Sequence, residues 1–109
     1  MAPPDAKREL EDLEEVFSAL AHASRRQILL VLKFHGGSMS AGEIARRFKC
    51  SWPTTTRHLK QLEGAKLVRV EKVGRERIYR LDLERIDAVA GAWLKRFDRE
   101  ARRIDSGVK

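Results

Sequence analysis

The chain has a single cysteine, Cys50, so no disulfide can close within it and no zinc site can be assembled from several cysteines of one chain. Aromatic residues make up only 6% of the sequence and prolines number three, two of them at Pro3 and Pro4. The longest apolar run is Ile28 to Leu32, far short of the roughly 20 residues that a membrane-spanning helix needs. The start, MAPPDAKRELEDLEE, is acidic where a secretion signal would be basic and then apolar, so a cytoplasmic protein is expected, with reduced thiol and no membrane partner. Also missing are a Ser/His/Asp or Cys/His arrangement with an organiser, a phosphate-cradling glycine motif and a paired-acid site. These absences argue against an enzyme. No repeat or low-complexity segment is visible.

What is abundant is charge, at 36% of residues beside 42% hydrophobic ones, in a chain of 109 residues. That length and composition suit one helix-rich domain with a modest core, small enough for a second subunit to add stability. The net charge is +7, and its placement is uneven. Met1 to Ala23 holds two basic against six acidic residues, whereas Ile44 to Arg80 holds eleven against three. A polyanionic partner is expected on the basic segment.

The chain is organised around Ser51 to Val68, SWPTTTRHLKQLEGAKLV. Ser51 is suited to N-cap a helix, and Pro53 is tolerated in a first turn whose N–H groups have no intrahelical acceptor. Thr55, Leu59 and Leu62 fall at i, i+4 and i+7 and predict a buried stripe. Pro53, Arg57, Lys60 and Gln61 lie opposite, with Thr54 and Thr56 on the flanks, and the single acid is Glu63 in the last turn. A short, cationic, hydroxyl-bearing face is the composition of a helix that lies against nucleic acid.

Before it, Leu10, Leu13, Val16, Phe17 and Leu20 predict an amphipathic first helix from about Asp5 to Ala21. Ser24 to Gln27 reads as a capping box opening a second helix, with Arg25 and Arg26 outside, that Gly36-Gly37 ends. Ser40 to Glu43 is a second capping box, opening a short third helix that stops at the Lys49-Cys50 corner. After Gly64 the period becomes alternating: Val68 and Val70, then Tyr79, Leu81 and Leu83, flank the charged tip Gly74 to Arg77. Ile86, Val89, Trp93 and Phe97 predict a last helix, basic around Arg99, Arg102 and Arg103. The expected fold is mainly α with a two-stranded β wing, about five helices in the order ααααββα: a winged helix-turn-helix.

The segments LAHASRRQILLVL, GEIARRF, TTTRHLKQLEGAKLV and GRERIYRLD resemble, in order and spacing over roughly Val16 to Leu83, the ArsR/SmtB family of small bacterial transcriptional repressors. The resemblance implies a homodimer paired through its first and last helices that binds a palindromic operator on double-stranded DNA. It divides the single domain, 1–109, into pairing helices at 5–22 and 86–104 and a helix-turn-helix with wing at 40–83. Metal-sensing members carry two cysteines in a motif like ELCVCDLA. Alignment of that motif on SMSAGEIA puts Ser40 and Gly42 in their places, and Ile86 to Ile104 has no histidine for the other common site. Neither Ser nor Gly replaces a thiolate ligand, so no metal or other cofactor is expected.

On this reading the DNA-contacting set is Ser51, Trp52, Pro53, Thr54, Thr56, Arg57, His58 and Lys60, with Arg75 and Arg77 from the wing. Arg57 is placed to bond guanine, the threonines to meet bases or phosphates, and His58 and Lys60 to touch the backbone. Arg75 and Arg77 suit a narrow minor groove, although pairing with Glu76 is the bland alternative. Trp52 either packs on the third helix or lies on the DNA edge. Leu10, Leu13, Phe17, Val89, Trp93 and Phe97 form the pairing seam, with Trp93 and Phe97 open to an intrachain role instead. His22 and His35 read as helix-end residues. Cys50, before a helix N-terminus and beside Lys49, is a possible redox site or a plain corner residue. The competing function is a winged-helix assembly module whose basic face meets an acidic protein.

Overall fold

The computed structural model of the chain describes residues 4–48 and 51–99. In order these form α1 (Pro4–Leu20), α2 (Ala23–Phe34), β1 (Ser38–Ser40), α3 (Ala41–Arg47), α4 (Trp52–Gly64), β2 (Val68–Val73), β3 (Glu76–Leu81) and α5 (Leu83–Ile86). A π-helical turn, Asp87–Gly91, then joins α5 to α6 (Ala92–Lys95).

The core gathers one stripe from each element. Val16 of α1, Ile28 and Leu32 of α2, Ile44 of α3, Leu59 and Leu62 of α4, and Leu67 and Val68 entering β2 are all buried. The expected helix-turn-helix is α3 and α4. Ser40 closes its capping box in full, its hydroxyl accepting from Glu43 N at 3.1 Å while the Glu43 carboxylate accepts from Ser40 N at 3.0 Å.

Four expectations need correction. The cap of α2 is His22, whose ring Nδ1 accepts from Ser24 N at 3.2 Å. The helix starts at Ala23, so Ser24 sits inside its first turn and the Ser24-to-Gln27 capping box does not form. Arg25 is not outside: it is half-buried and donates from Nε to the Ala19 carbonyl at 2.7 Å and from Nη2 to that of Ser18 at 3.2 Å. The sheet has three strands, in the order β1-β3-β2, because Ser38–Ser40 adds an antiparallel edge to β3. Gly36 and Gly37, at φ 81° and 100°, turn the chain out of α2, and Met39 then buries opposite Tyr79. A three-residue strand overlapping a helix cap is too short for alternation to reveal. Leu83 lies past the hairpin and opens α5, capped by Asp82, whose Oδ1 accepts from Arg85 N at 3.0 Å.

The hairpin itself is tight. Val73 pairs with Glu76 across a two-residue turn, Gly74-Arg75, so the tip is shorter than the four-residue stretch expected. Gly74 takes φ 62°, the conformation required at the first position of a type II′ turn, whose twist suits the flanking strands. The last helix also departs from a simple stripe. The wide π turn shifts its period, burying Ala90 while Val89 and Trp93 are half-covered and Leu94 and Phe97 face out. The final part of the expected 86–104 helix, from residue 100 on, and the corner containing Cys50 lie outside the described residues.

The end of α4 shows how the helix hands over to the wing. Leu67 N donates to the Leu62 carbonyl at 3.0 Å and Lys66 N to that of Glu63 at 2.9 Å, the bond pair of a Schellman motif. The left-handed position falls on Lys66, at φ 62°, and not on nearby Gly64. An L-residue there costs about 1–2 kcal/mol. Lys66→Gly should therefore raise stability by about 1 kcal/mol in urea unfolding after the entropy of the unfolded glycine is offset. An unchanged or lowered midpoint would show that Lys66 makes a compensating contact.

Candidate nucleic-acid interface

Helix α4 is held by one face and open on the other. Ser51 caps it, accepting from Thr54 N at 3.3 Å and donating to Thr54 Oγ1 at 2.8 Å, so the first turn is tied by its own hydroxyls. The inward stripe is Thr55, His58, Leu59 and Leu62, all buried. On the outward side Pro53, Arg57, Lys60 and Gln61 are exposed, and Thr54 and Thr56 are half-exposed on the flanks. Arg57 and Lys60 have no acidic partner among the described residues. Trp52, at the start of the helix, is 56% exposed, so more than half of its surface stays open.

His58 is the one residue of the expected contact set that the structure turns away from this face. It lies at i+3 from Thr55 and i−4 from Leu62, so helical spacing already assigned it to the buried stripe. Its ring packs on that of His22 with centroids 4.5 Å apart, and its Nδ1 sits 3.5 Å from Arg25 Nη1. An arginine donor needs that nitrogen unprotonated. Burial, His22 and the cations Arg25 and Arg57 all hold the His58 pKa below its ordinary value.

In the wing the charges are graded from base to tip. Near the base, Arg69 pairs with Asp82 at 3.1 Å and Arg80 with Glu71 at 3.0 Å. Toward the tip the register sets Lys72 directly opposite Arg77, and Arg75 occupies the turn. Like charges in facing positions destabilise a strand pair. No acid pairs with these three cations among the described residues, so the Glu76 pairing does not form and Glu76 stands across from Val73 instead. Lys72 thus joins Arg75 and Arg77, a residue that becomes visible only once the two-residue turn fixes the register.

The expected seam residues cluster along α1 and the last helical segment. Phe17 meets Trp93 edge to face at 5.2 Å, and Trp93 meets Phe97 at 4.9 Å, so Trp93 has an intrachain partner. Leu10 and Phe97 remain 65% and 61% exposed. Leu10, Leu13, Val89 and Trp93 line a cleft of about 720 Å³ between the two elements. Across its floor Arg85 bonds Asp12 at 3.2 Å, and that hydrogen bond holds the Asp12 carboxyl below its usual range. Arg85 Nε also donates to the Ala65 carbonyl at the end of α4, at 3.3 Å. His35 caps the end of α2 and contacts Arg47. No described helix is long and apolar enough to cross a membrane.

Residues 20–71 match a family described as a helix-turn-helix domain. The transcriptional repressor SdpR of Bacillus subtilis (strain 168) is 37% identical over 70 residues, 64% of this chain and 76% of that protein. An ArsR-like transcriptional regulator from Rhodococcus sp. RHA1 superposes with a TM-score of 0.70 at 32% identity, covering 92% of both chains. A homodimeric winged helix-turn-helix DNA-binding domain from Mycobacterium bovis shares the fold at a TM-score of 0.70 and 23% identity, over 85% of each chain.

The depressed His58 pKa has a defined consequence for stability. The fold favours neutral His58, so its contribution is complete above the unfolded value of about 6.5 and falls as pH drops below it. The lowered carboxyls of Asp12, Glu43 and Asp82 act only nearer pH 4, where unfolded carboxylates protonate. Thermal midpoints should therefore decline between pH 7 and pH 5, and His58→Gln, whose amide oxygen can still accept from Arg25, should flatten that decline. Identical slopes for the two proteins would mean that His58 is not the titrating group.

Proposed function

This chain belongs to the ArsR family of winged helix-turn-helix transcriptional regulators, DNA-binding proteins and not enzymes, and we propose that it is a homodimeric repressor of a palindromic operator. The observation that carries the reading is the outward face of α4, where Thr54, Thr56, Arg57, Lys60 and Gln61 stand without an acidic partner among the described residues, on a helix clamped from behind. One α-helix fits the major groove of B-DNA, and an arginine there bonds guanine O6 and N7 bidentately. Arg57 chooses bases. Ser51, Trp52, Pro53, Lys60 and the flanking threonines hold the register on sugar and phosphate. Lys72, Arg75 and Arg77 carry the wing to the adjacent minor groove, where polyanion relieves the repulsion between facing cations.

Pairing through α1 and the last helical segment would cover Leu10, Leu13, Phe17, Val89, Trp93 and Phe97 and fill the cleft between them. Two-fold pairing sets two reader helices about 34 Å apart and makes the operator palindromic. The Mycobacterium bovis neighbour is homodimeric, which supports two-chain assembly. The protein works without the family's cysteine metal site. At the aligned position Ser40 is buried and its hydroxyl is committed to capping α3, a role that keeps it from a metal.

The test is binding to the chain's own promoter fragment and to a scrambled duplex across a salt series. Affinity for the promoter should fall steeply with salt, with a log–log slope of about −0.9 for each phosphate neutralised, at two chains per site. Arg57→Ala should cost about 1–3 kcal/mol on the promoter and much less on the scrambled duplex. Equal losses on both would make Arg57 a phosphate contact, and salt-insensitive binding would favour an acidic protein as the partner of this face.

A further inference from the structure

Helix α2 carries a second stripe, which borders the core at Leu29 and runs outward onto a surface away from the proposed reader face. Arg26, Leu29, Leu30 and Lys33 fall at i, i+3, i+4 and i+7 and wall a groove of about 380 Å³. Its far wall is Leu81, where β3 ends, with Leu83 and Ile86 of α5, and Leu20 of α1 closes one end. Leu30 and Leu83 face each other's side of the groove while 56% and 51% exposed, a larger apolar outlay than isolated surface leucines make.

The charge that lines this groove has one sign. Among the described residues its ionisable lining residues are Arg26 and Lys33, separated by about 10 Å along the helix, with no carboxylate in the lining. Arg26 is occupied in part, donating from Nη1 to the Leu20 carbonyl at 2.7 Å, which fixes its stem along the groove end. The Lys33 side chain makes no ion pair or hydrogen bond among the described residues and stays exposed. An apolar slot bracketed by cations, one of them unpaired, complements a molecule with an alkyl chain and a single anionic head.

We propose that this groove binds an amphipathic monocarboxylate, its chain between Leu29–Leu30 and Leu83–Ile86 and its carboxylate on Lys33. The site lies where α1, the wing strand β3 and α5 meet, so an occupant bears on both the proposed pairing helices and the wing. That makes it a place for a regulatory ligand. The regulatory consequence rests on the DNA-binding reading, but occupancy does not, and the test uses no DNA, so the two can fail separately.

The experiment is calorimetric titration of the full chain with decanoate below its micellar range, with decanol as the uncharged comparator. Decanoate should bind at one molecule per chain, and decanol about tenfold more weakly. Lys33→Gln should weaken decanoate about threefold and Lys33→Glu about tenfold or more, with decanol unchanged by either. Leu30→Glu, at an exposed position that tolerates charge, should abolish binding of both ligands while circular dichroism stays native. Absence of decanoate binding, or binding indifferent to the charge at residue 33, overturns the proposal. So does conversion of a dimer to a monomer by Leu30→Glu in light scattering, since the groove would then be covered by a second copy.

Discussion

A reader helix is useful only if one side is gripped while the other is left bare, and in this chain two arginines complete the grip that the apolar stripe begins. Leu59 and Leu62 supply the hydrophobic anchor, but apolar contacts are non-directional and would allow the helix to slide or roll. Arg25 reaches the middle of α4 at His58 while holding the last carbonyls of α1. Arg85 reaches its end, at Ala65, while paired with Asp12 of α1. Both tether α4 to the same helix, at two points along its length. The exposed face is aimed because the hidden one is pinned twice by directional bonds.

The same logic explains where the protein neutralises its charge and where it does not. Arg69, Arg80 and Arg85 all have carboxylate partners, and all stand at the base of the wing or against the body. Arg57, Lys60, Lys72, Arg75 and Arg77 have none among the described residues, and they lie on the open face of α4 or at the wing's outer half. A chain selected for stability alone would place a glutamate opposite Arg77 and not a lysine, since facing like charges destabilise the hairpin. The unpaired set is a cost in the isolated molecule that a polyanion removes. Its distribution is therefore better evidence of function than the net charge of +7, which counts paired and unpaired residues alike.

The parts of this arrangement that were legible beforehand are those governed by a local period or a local cap. Thr55, Leu59 and Leu62 announced the buried side of α4, Ser40 and Ser51 the starts of α3 and α4, and the alternation after Gly64 the hairpin. His58 was misassigned because its residue type suggested a DNA contact while its spacing placed it inward, and spacing prevailed. What remained hidden depends on residues far apart in sequence. The β1 strand exists because Met39 finds Tyr79, Arg25 is drawn inward by carbonyls of a different helix, and Lys72 meets Arg77 only in the realised register. The π turn at Asp87–Gly91 likewise has no signature in the Ile86, Val89, Trp93, Phe97 spacing that it disrupts.

That disrupted helix gives the proposed pairing its physical character. Had the last segment continued with an unbroken period, its stripe could have turned as a whole toward α1 and left little apolar surface outside. Instead Ala90 takes the inward position, Trp93 bridges to Phe17, and Leu94 and Phe97 are carried out to solvent, while Leu10 of α1 is exposed as well. Burying exposed side chains of this size contributes about 25 cal/mol for each Å² removed from water, so a second copy laid on this surface would gain from contacts that the single chain leaves unmade. Because Asp12 and Arg85 cross the floor of the same cleft, and Arg85 continues to the end of α4, any shift of the paired helices would be felt at the reader helix through one side chain. In the proposed dimer, pairing and reading would thus be joined by a short path through Arg85.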